Sequence, residues 1–256
     1  MSKPYRGKSG HLMLIGLPVD LCIFTMAAGP RPSLEILLVR RRDDPYAGQW
    51  AFPGGFTQLD RETLSEAARR ELFEETHVDL TTVPRARLQQ LGAYYSPQRD
   101  PRGYTASVAF IALMPEAMLA QARAGDDAAE VQRFSVFHDP RAVTLRASKG
   151  EMVTTSDLAF DHQDILADAL SYVRQQFLTT TVAEMFLPKA FTLSELQAVL
   201  TAAVPGIRLA RPDDHTWATL LTKVIDEGDE PLRRVSESLY TFSSHHEPAL
   251  SIYPLA

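Results

Sequence analysis

Cysteine is nearly missing from this chain of 256 residues, in which Cys22 is the single example. One cysteine cannot form an internal disulfide, so a small secreted scaffold held by disulfides is excluded. The same scarcity is typical of a cytoplasmic protein. Cys22 lies in the apolar run of residues 21–24, which predicts a thiol in the protein core.

Positive charge is also in short supply. The chain has 26 Lys and Arg against 32 Asp and Glu, a net charge of −6, which does not suit a general binder of polyanions. No apolar run has the length of a membrane span. Pro18 and Asp20 interrupt the first apolar run and no cleavage site is evident, so we expect neither a signal peptide nor a membrane partner, and a cytoplasmic location. The length suits one large or two modest domains.

A charged stretch follows a glycine pair at residues 54–78, GGFTQLDRETLSEAARRELFEETHV. Glu71, Glu74 and Glu75 are spaced i, i+3 and i+4, so in a helix all three project from one side and repel one another. Hard oxygen ligands on one face suit Mg²⁺ or Mn²⁺. The alternative is a solvated face whose glutamates form surface ion pairs with Arg70 and its neighbour.

Local signals predict that this helix begins near residue 62 or 63. Thr63 and Glu66 form a capping-box pattern. The apolar stripe that would hold the helix against a core comprises Leu64, Ala67, Ala68 and Leu72. The carboxylates on the other side are then left facing a cleft.

The stretch resembles the Nudix box, the loop-helix signature of hydrolases that act on nucleoside diphosphates linked to another group. Glu62, seven intervening residues and Arg70-Glu71-Leu-Phe-Glu74-Glu75 follow that signature. Six residues instead of five separate Gly55 from Glu62, and His77 stands at a family glycine position.

The resemblance implies an α/β fold, a Nudix α/β/α sandwich with a mixed sheet. It also implies roles for individual residues. Glu71, Glu74, Glu75 and the carbonyl of Gly55 would hold Mg²⁺ or Mn²⁺. Glu74 or Glu71 would act as the catalytic base, and Arg70 would orient a glutamate.

Arginines flank the box on both sides. Arg40 to Arg42 end a predicted strand, where they either contact a phosphate or carboxylate or form a solvated strand end. A later loop, residues 96–103, resembles a loop of the ADP-ribose-directed branch of the family. This likeness makes Arg99 and Arg102 candidates for substrate binding. The alternative is a surface loop held by an Arg–Asp pair.

The rest of the first domain, residues 1–178, is predicted from short patterns. Strands are expected at residues 34–40 (central in the sheet), 50–52, 91–95, 106–113 and 131–137. Residues 138–157 are predicted to form a long loop. Asp161 is expected to cap a helix, with His162 at its start.

Residues 179–256 are predicted to form a small winged-helix-like α+β domain. The expected elements are a helix capped by Thr192 and Glu195, a second helix starting near residue 213, and a hairpin at residues 232–235 and 239–242. The whole chain is similar to the Nudix-related regulators of NAD metabolism, in which a Nudix domain senses ADP-ribose and a winged helix binds DNA as a homodimer.

Charge argues against carrying over the DNA-binding role. From residue 179 onward there are ten Asp and Glu against six Lys and Arg, a net of −4, whereas DNA binding needs several cations near phosphates. The candidate contacts are Lys223, Arg233 and Arg234. The alternative is an accessory domain for packing or dimerisation.

Two functions follow as expectations. The first is a Mg²⁺-dependent pyrophosphohydrolase that cleaves the diphosphate of ADP-ribose or a related nucleoside diphosphate derivative. The second is a transcription regulator that senses ADP-ribose and binds DNA through its C-terminal domain.

Overall fold

The computed structural model describes residues 5–6, 12–13, 15–29, 31–77, 79, 87–119, 122, 128–139, 142–148, 150–206, 232–236 and 238–242. The strands are β1 (Tyr5–Arg6), β2 (Leu12–Met13), β3 (Ile15–Gly16), β4 (Pro18–Ala27), β5 (Ser33–Arg41), β6 (Trp50–Ala51), β7 (Gly54–Phe56), β8 (Arg87–Tyr94), β9 (Tyr104–Thr105), β10 (Ser107–Leu113), β11 (Ala128–Asp139), β12 (Ala142–Ala147), β13 (Met152–Thr154), β14 (Leu232–Arg234) and β15 (Tyr240–Phe242). The α-helices are α1 (Leu64–Thr76), α2 (Glu116–Leu119), α3 (His162–Thr179) and α4 (Leu193–Ala203), and 3-10 turns lie at Thr155–Asp157 and Val182–Phe186.

The main sheet is mixed, as predicted. Its strand order is β13-β12-β11-β5-β4-β10-β8, while β6 pairs with β5 and β7 pairs with β4. Strands β4 and β10 run parallel, whereas β10–β8, β11–β12, β11–β5, β12–β13, β4–β7 and β5–β6 are antiparallel pairs. The prediction that residues 34–40 form a central strand is confirmed, since β5 lies between β11 and β4.

Helix α1 packs on one face of this sheet through its small and apolar residues. Ala67, Ala68 and Leu72 are fully buried and share a core with Val19 and Leu21 of β4. Asp20 lies between those two residues in β4, so its side chain points to the opposite face. There its carboxylate lies 3.5 Å from Nε2 of His162, the first residue of α3. The two faces thus receive α1 and α3, as the predicted sandwich requires.

The predicted loop at residues 138–157 is wrong. The segment contains strands β12 and β13, and β12 pairs with β11. Leu145 and Ala147 are buried while Arg146 between them is exposed. This alternation is a short amphipathic strand, which charged and small residues on either side obscured in the sequence.

The chain divides into two compact units. The first comprises Met1–Ala27 with Leu34–Leu170, and the second comprises Ala28–Ser33 with Ser171–Ala256. The boundary predicted after residue 178 stays a prediction.

Within the second unit, Thr192 and Glu195 form the predicted capping box of α4. The predicted hairpin is present as β14 paired with β15. Phe191 exchanges two backbone hydrogen bonds with Tyr240 of that hairpin, at 3.0 and 2.8 Å. The second helix predicted for this unit lies outside the described residues.

No α-helix in the portion of the chain with described coordinates combines the length and the apolar character that crossing a bilayer requires.

Gly54 is required by the pairing of β7 with β4. Its φ is +150°, and a Cβ at this position would overlap the backbone carbonyl of Val19. We predict that Gly54→Ala destabilises the first unit by about 2–5 kcal/mol, because the strained backbone and the overlap both cost energy. The measurement is urea denaturation followed by the fluorescence of the buried Trp50, in a Trp217→Phe background.

Gly103 provides the matched control, since its φ is +158° but a Cβ there has nothing within 4 Å. Gly103→Ala should cost about 1–2 kcal/mol from the backbone alone. Equal losses for the two variants would contradict the overlap.

Candidate active site

The glycine pair allows β7 to lie directly against the carboxylates of α1. A Cβ on Gly55 would overlap the carboxylate of Glu71. Only glycine therefore brings the Gly55 backbone and the Glu71 side chain this close. On the other side, β7 is held by its pairing with β4, where Gly55 lies opposite Val19.

The caps of α1 fix the position of its carboxylates. The Thr63 hydroxyl accepts from the Glu66 backbone N–H, and Glu66 in return accepts from the Thr63 N–H, so the predicted capping box is confirmed. At the other end, His77 takes the left-handed conformation, with φ 58° and ψ 20°, and its N–H donates to the Phe73 carbonyl. This is the conformation for which glycine is usually chosen, and His77 adopts it.

Arg70 is the centre of the charged face. Its Nε and Nη2 donate to the two carboxylate oxygens of Glu62, at 3.0 and 2.7 Å. Its Nη1 donates to Glu71 at 2.6 Å and to Glu74 at 3.1 Å, and Nη2 also reaches the Phe56 carbonyl at 3.3 Å. One guanidinium thus joins the loop before α1, the helix itself and β7.

The carboxylates differ in their surroundings. Hydrogen bonds from Arg70 hold the pKa of Glu62 below its usual range. Burial raises the pKa of Glu71, and it outweighs the opposing effect of Arg70. Glu71 and Glu75 are buried, whereas the Glu74 side chain is 54% exposed. The predicted face therefore combines two shielded carboxylates with one that solvent reaches.

The predicted loop arginines occupy two different settings. Arg99 is buried, and its guanidinium donates to Asp161 at 2.9 and 2.7 Å and to Asp20 at 3.3 Å. Arg102 has a side chain that is 44% exposed and pairs with Asp100 at 2.7 Å. The Arg102–Asp100 contact is the Arg–Asp pair of the alternative interpretation. A substrate-binding role for either arginine stays a prediction, and Arg102 has the more accessible guanidinium.

Arg40 and Arg42 lie at the end of β5 and beyond it. The Arg40 guanidinium pairs with Glu151 at 2.6 Å and lies 4.7 Å from the centre of the Trp50 ring. Trp50 is buried and is therefore a packing residue. Arg42 is exposed. Contact of either arginine with a substrate stays a prediction.

The candidate DNA contacts are described only in part. Lys223 and the side chain of Arg233 lie outside the described residues. Arg234 is exposed, and its Nε donates to the Ser236 carbonyl at 3.1 Å.

A buried polar network was missed from the sequence. The Phe52 N–H donates to Nδ1 of His162 at 3.0 Å, and the two rings stack with centroids 4.7 Å apart. Asp20 accepts from Arg99 and from the hydroxyl of Ser107. An aspartate inside the otherwise apolar run of β4 is a signal that could have revealed this network.

Asp161 was expected to be a helix cap. It does precede α3, but its carboxylate oxygens accept from Arg99. The side chain therefore ties the residue 96–103 loop to the start of α3.

Comparison with known proteins identifies the family. The NUDIX domain pattern matches residues 19–155, more than half of the chain. The chain belongs to the Nudix family.

Other relatives agree with the family assignment. The Nudix chain is 32% identical over 184 residues to the ADPR responsive transcriptional repressor NtrR of Acinetobacter baylyi, a match that covers 72% of this chain but only 64% of that protein's length. It is 36% identical over 138 residues to the ADP-ribose pyrophosphatase of Methanocaldococcus jannaschii, covering 54% of this chain and 67% of that one. The crystal structure of a MutT/nudix family protein from Enterococcus faecalis aligns with a TM-score of 0.73 at 25% identity, covering 91% of this chain and 88% of that one.

Both departures from the Nudix box leave the charged face assembled. Although the loop before Glu62 is one residue longer than the family pattern, Glu62 still binds Arg70 through both carboxylate oxygens. Although His77 replaces glycine, it closes α1 in the left-handed conformation.

The donor set fits a hard divalent cation in chemistry. Carboxylates are the preferred ligands of Mg²⁺, and Glu71 lies where the Gly55 backbone has no side chain to exclude it. Across the described ranges, no three His, Cys, Asp or Glu side chains converge as a ready metal site. In this arrangement one carboxylate oxygen of Glu71 and one of Glu74 accept hydrogen bonds from Arg70.

The buried network predicts an acid-sensitive contribution to stability. Burial alone would raise the pKa of Asp20, but interactions with His162, Ser107 and Arg99 lower it to about 2. A carboxyl whose pKa is depressed on folding contributes stability above its unfolded pKa, near 3.8, and loses that contribution as the pH falls towards 2. We expect Asp20→Asn to cost about 2 kcal/mol at pH 7.

The measurement is urea denaturation of wild type and Asp20→Asn between pH 7 and pH 2. The difference in the free energy of unfolding should shrink between pH 4 and pH 2. The exposed Asp43→Asn is the control and should show a much smaller difference. If the difference in the free energy of unfolding between wild type and Asp20→Asn stays constant down to pH 2, the lowered pKa of Asp20 is refuted.

Proposed function

We propose that this Nudix protein is a Mg²⁺- or Mn²⁺-dependent pyrophosphohydrolase that cleaves the diphosphate of ADP-ribose or a related nucleoside diphosphate derivative. The observation that carries the proposal is the set of α1 carboxylates gathered around Arg70 beside Gly55. The similarity to the ADP-ribose pyrophosphatase of Methanocaldococcus jannaschii supports the choice of substrate. With ADP-ribose, attack of water and cleavage of the P–O–P bridge give AMP and ribose 5-phosphate.

The cation would be held by Glu71, Glu74, Glu75 and the carbonyl of Gly55. When bound, it neutralises the diphosphate and lowers the pKa of a coordinated water. The remaining work falls to the chain itself. Arg70 orients Glu71 and Glu74 through Nη1, and its fork on Glu62 keeps the guanidinium in place.

A carboxylate must accept the proton of the attacking water. Two glutamates are candidates. Glu74 is the more exposed to solvent, and Glu71 has a raised pKa because it is buried. Arg40, Arg42, Arg99 and Arg102 remain proposed contacts for the substrate.

The decisive experiment incubates the protein with ADP-ribose and Mg²⁺. A phosphatase is added to release phosphate from the products, and that phosphate is measured. We expect wild type to turn over and the double variant Glu74→Gln, Glu75→Gln to lose at least about 100-fold in kcat, as expected when proton transfer and metal binding are removed together. Glu66→Gln is the matched control on the same helix, because glutamine also completes a capping box. No turnover by wild type, or equal turnover by the double variant, rules the hydrolase out.

A second function is favoured by one comparison. The similarity to the NtrR repressor extends over 184 residues, more than the 137 residues of the NUDIX match. It supports a regulator that senses ADP-ribose and binds DNA as a homodimer through residues 179–256, with contacts from Lys223, Arg233 and Arg234. The net charge of −4 in that region weighs against it.

A gel shift at low salt separates the two roles. A regulator should retard a DNA fragment carrying the promoter of the neighbouring genes, and ADP-ribose should change the retardation. Replacing Arg233 and Arg234 together with glutamine should weaken binding and flatten its dependence on salt, because two phosphate contacts are lost. Absence of retardation at low salt would exclude the regulator and leave the turnover result unaffected.

Further features of the proposal concern the whole protein. We place the boundary between the Nudix domain and the C-terminal domain near residue 178. We also propose that the protein is located in the cytoplasm and assembles as a homodimer.

A further inference from the structure

An aromatic and arginine cluster lies next to the carboxylate face, and the proposed function gives no role to its aromatic rings. Its members are Phe56, Phe160 and Arg102. The Arg102 guanidinium lies 5.3 Å from the centre of the Phe56 ring and 5.7 Å from the centre of the Phe160 ring. All three belong to the first compact unit.

Phe56 is the exposed side of this cluster. Its side chain is 46% exposed although the residue ends a strand of the sheet. Phe56 follows Gly55 in β7, and its backbone carbonyl accepts from Arg70 Nη2 at 3.3 Å, so the residue that carries the ring is bonded to the centre of the charged face.

The ring position is built into the backbone. A Cβ on Gly16 would lie 2.6 Å from Cε1 of Phe56, so any other residue at position 16 would displace the ring from this position. Phe160 lies across Arg102 with a left-handed φ of 55°. Such a backbone angle is rare for a large side chain and is concentrated at functional sites.

The guanidinium of Arg102 is held in place by Asp100. Asp100 accepts from Nε and Nη2 of Arg102, and from its backbone N–H, at 2.7–3.2 Å. Phe160 also contacts Arg41, whose guanidinium lies 4.9 Å from the ring centre, and Tyr46, whose ring packs edge-on at 4.7 Å. The three side chains are therefore pre-positioned, which lowers the cost of ordering them around a ligand.

We propose that Phe56, Phe160 and Arg102 form the slot for the nucleobase of the ligand. This inference rests on the proposed function and assigns the part of the site that reads a nucleoside. Every base has a flat π-face that stacks on aromatic rings and on a guanidinium plane. Phe56 links the two halves of the site, because its carbonyl binds Arg70 and its ring faces the base.

The test compares AMP with ribose 5-phosphate, which has a hydroxyl at C1 in place of the adenine of AMP. Calorimetric titration of wild type should show tighter binding of AMP. Phe56→Ala should weaken AMP binding by about 10- to 100-fold, the range expected for loss of one stacked base. Its affinity for ribose 5-phosphate should stay within about twofold, and Phe56→Tyr, which keeps a ring, should retain AMP affinity.

The chain offers a matched control. Phe137 is 45% exposed and also carries an arginine over its ring, Arg146 at 5.2 Å. Phe137→Ala should leave both affinities unchanged. Circular dichroism checks that each variant is folded. If Phe56→Ala is unfolded, the test relies on the other two variants: Phe56→Tyr should retain AMP affinity, and Arg102→Gln should weaken the binding of AMP but not that of ribose 5-phosphate.

Three outcomes overturn the slot. They are unchanged AMP binding in Phe56→Ala, an equal loss for both ligands, and wild type that binds AMP no better than ribose 5-phosphate. Neither titration requires turnover or a metal ion. A protein that stacks AMP on Phe56 but does not cleave ADP-ribose would refute the hydrolase alone, and a hydrolase indifferent to Phe56→Ala would refute the slot alone.

Discussion

The contact on which the site depends is the guanidinium of Arg70 among the carboxylates of Glu62, Glu71 and Glu74. Three acids this close repel one another, and burial makes the repulsion stronger. The planar group presents five N–H donors in a fixed fork, so it satisfies two oxygens of Glu62 while its remaining nitrogen reaches the helix. A lysine supplies one charge at one point and cannot make this set of contacts.

The Gly-Gly strand is fixed from both sides of the sheet. On one face, Glu71 occupies the space that a Gly55 side chain would fill, and Arg70 holds the Phe56 carbonyl. On the other, His162 accepts the Phe52 N–H and lies beside Asp20, which Arg99 and Ser107 also contact. Five consecutive residues, 52–56, thereby connect the carboxylate face with a buried polar network.

Local patterns in the sequence predicted several elements of the structure correctly. The capping pairs Thr63–Glu66 and Thr192–Glu195, the central strand β5 and the β14–β15 hairpin all depend on residues close in the chain, and the structure confirms each. Partners far apart were beyond such reasoning. Arg99 lies 62 residues from Asp161 and 79 from Asp20, so nothing in its own loop indicated that its charge would be buried. The strands at residues 142–154 were not predicted from the sequence because they are short and contain few apolar residues.

The caps of α1 also fix its rotational phase. Each residue of an α-helix turns the chain by about 100°, so the direction of Glu71 and Glu74 is determined by how many residues separate them from Thr63. The extra residue of this chain lies between Gly55 and Glu62, ahead of that origin, where a loop absorbs it. One residue added after Thr63 would instead swing the carboxylates about a quarter-turn away from Gly55. The chain therefore tolerates an inserted residue before the cap, but not after it.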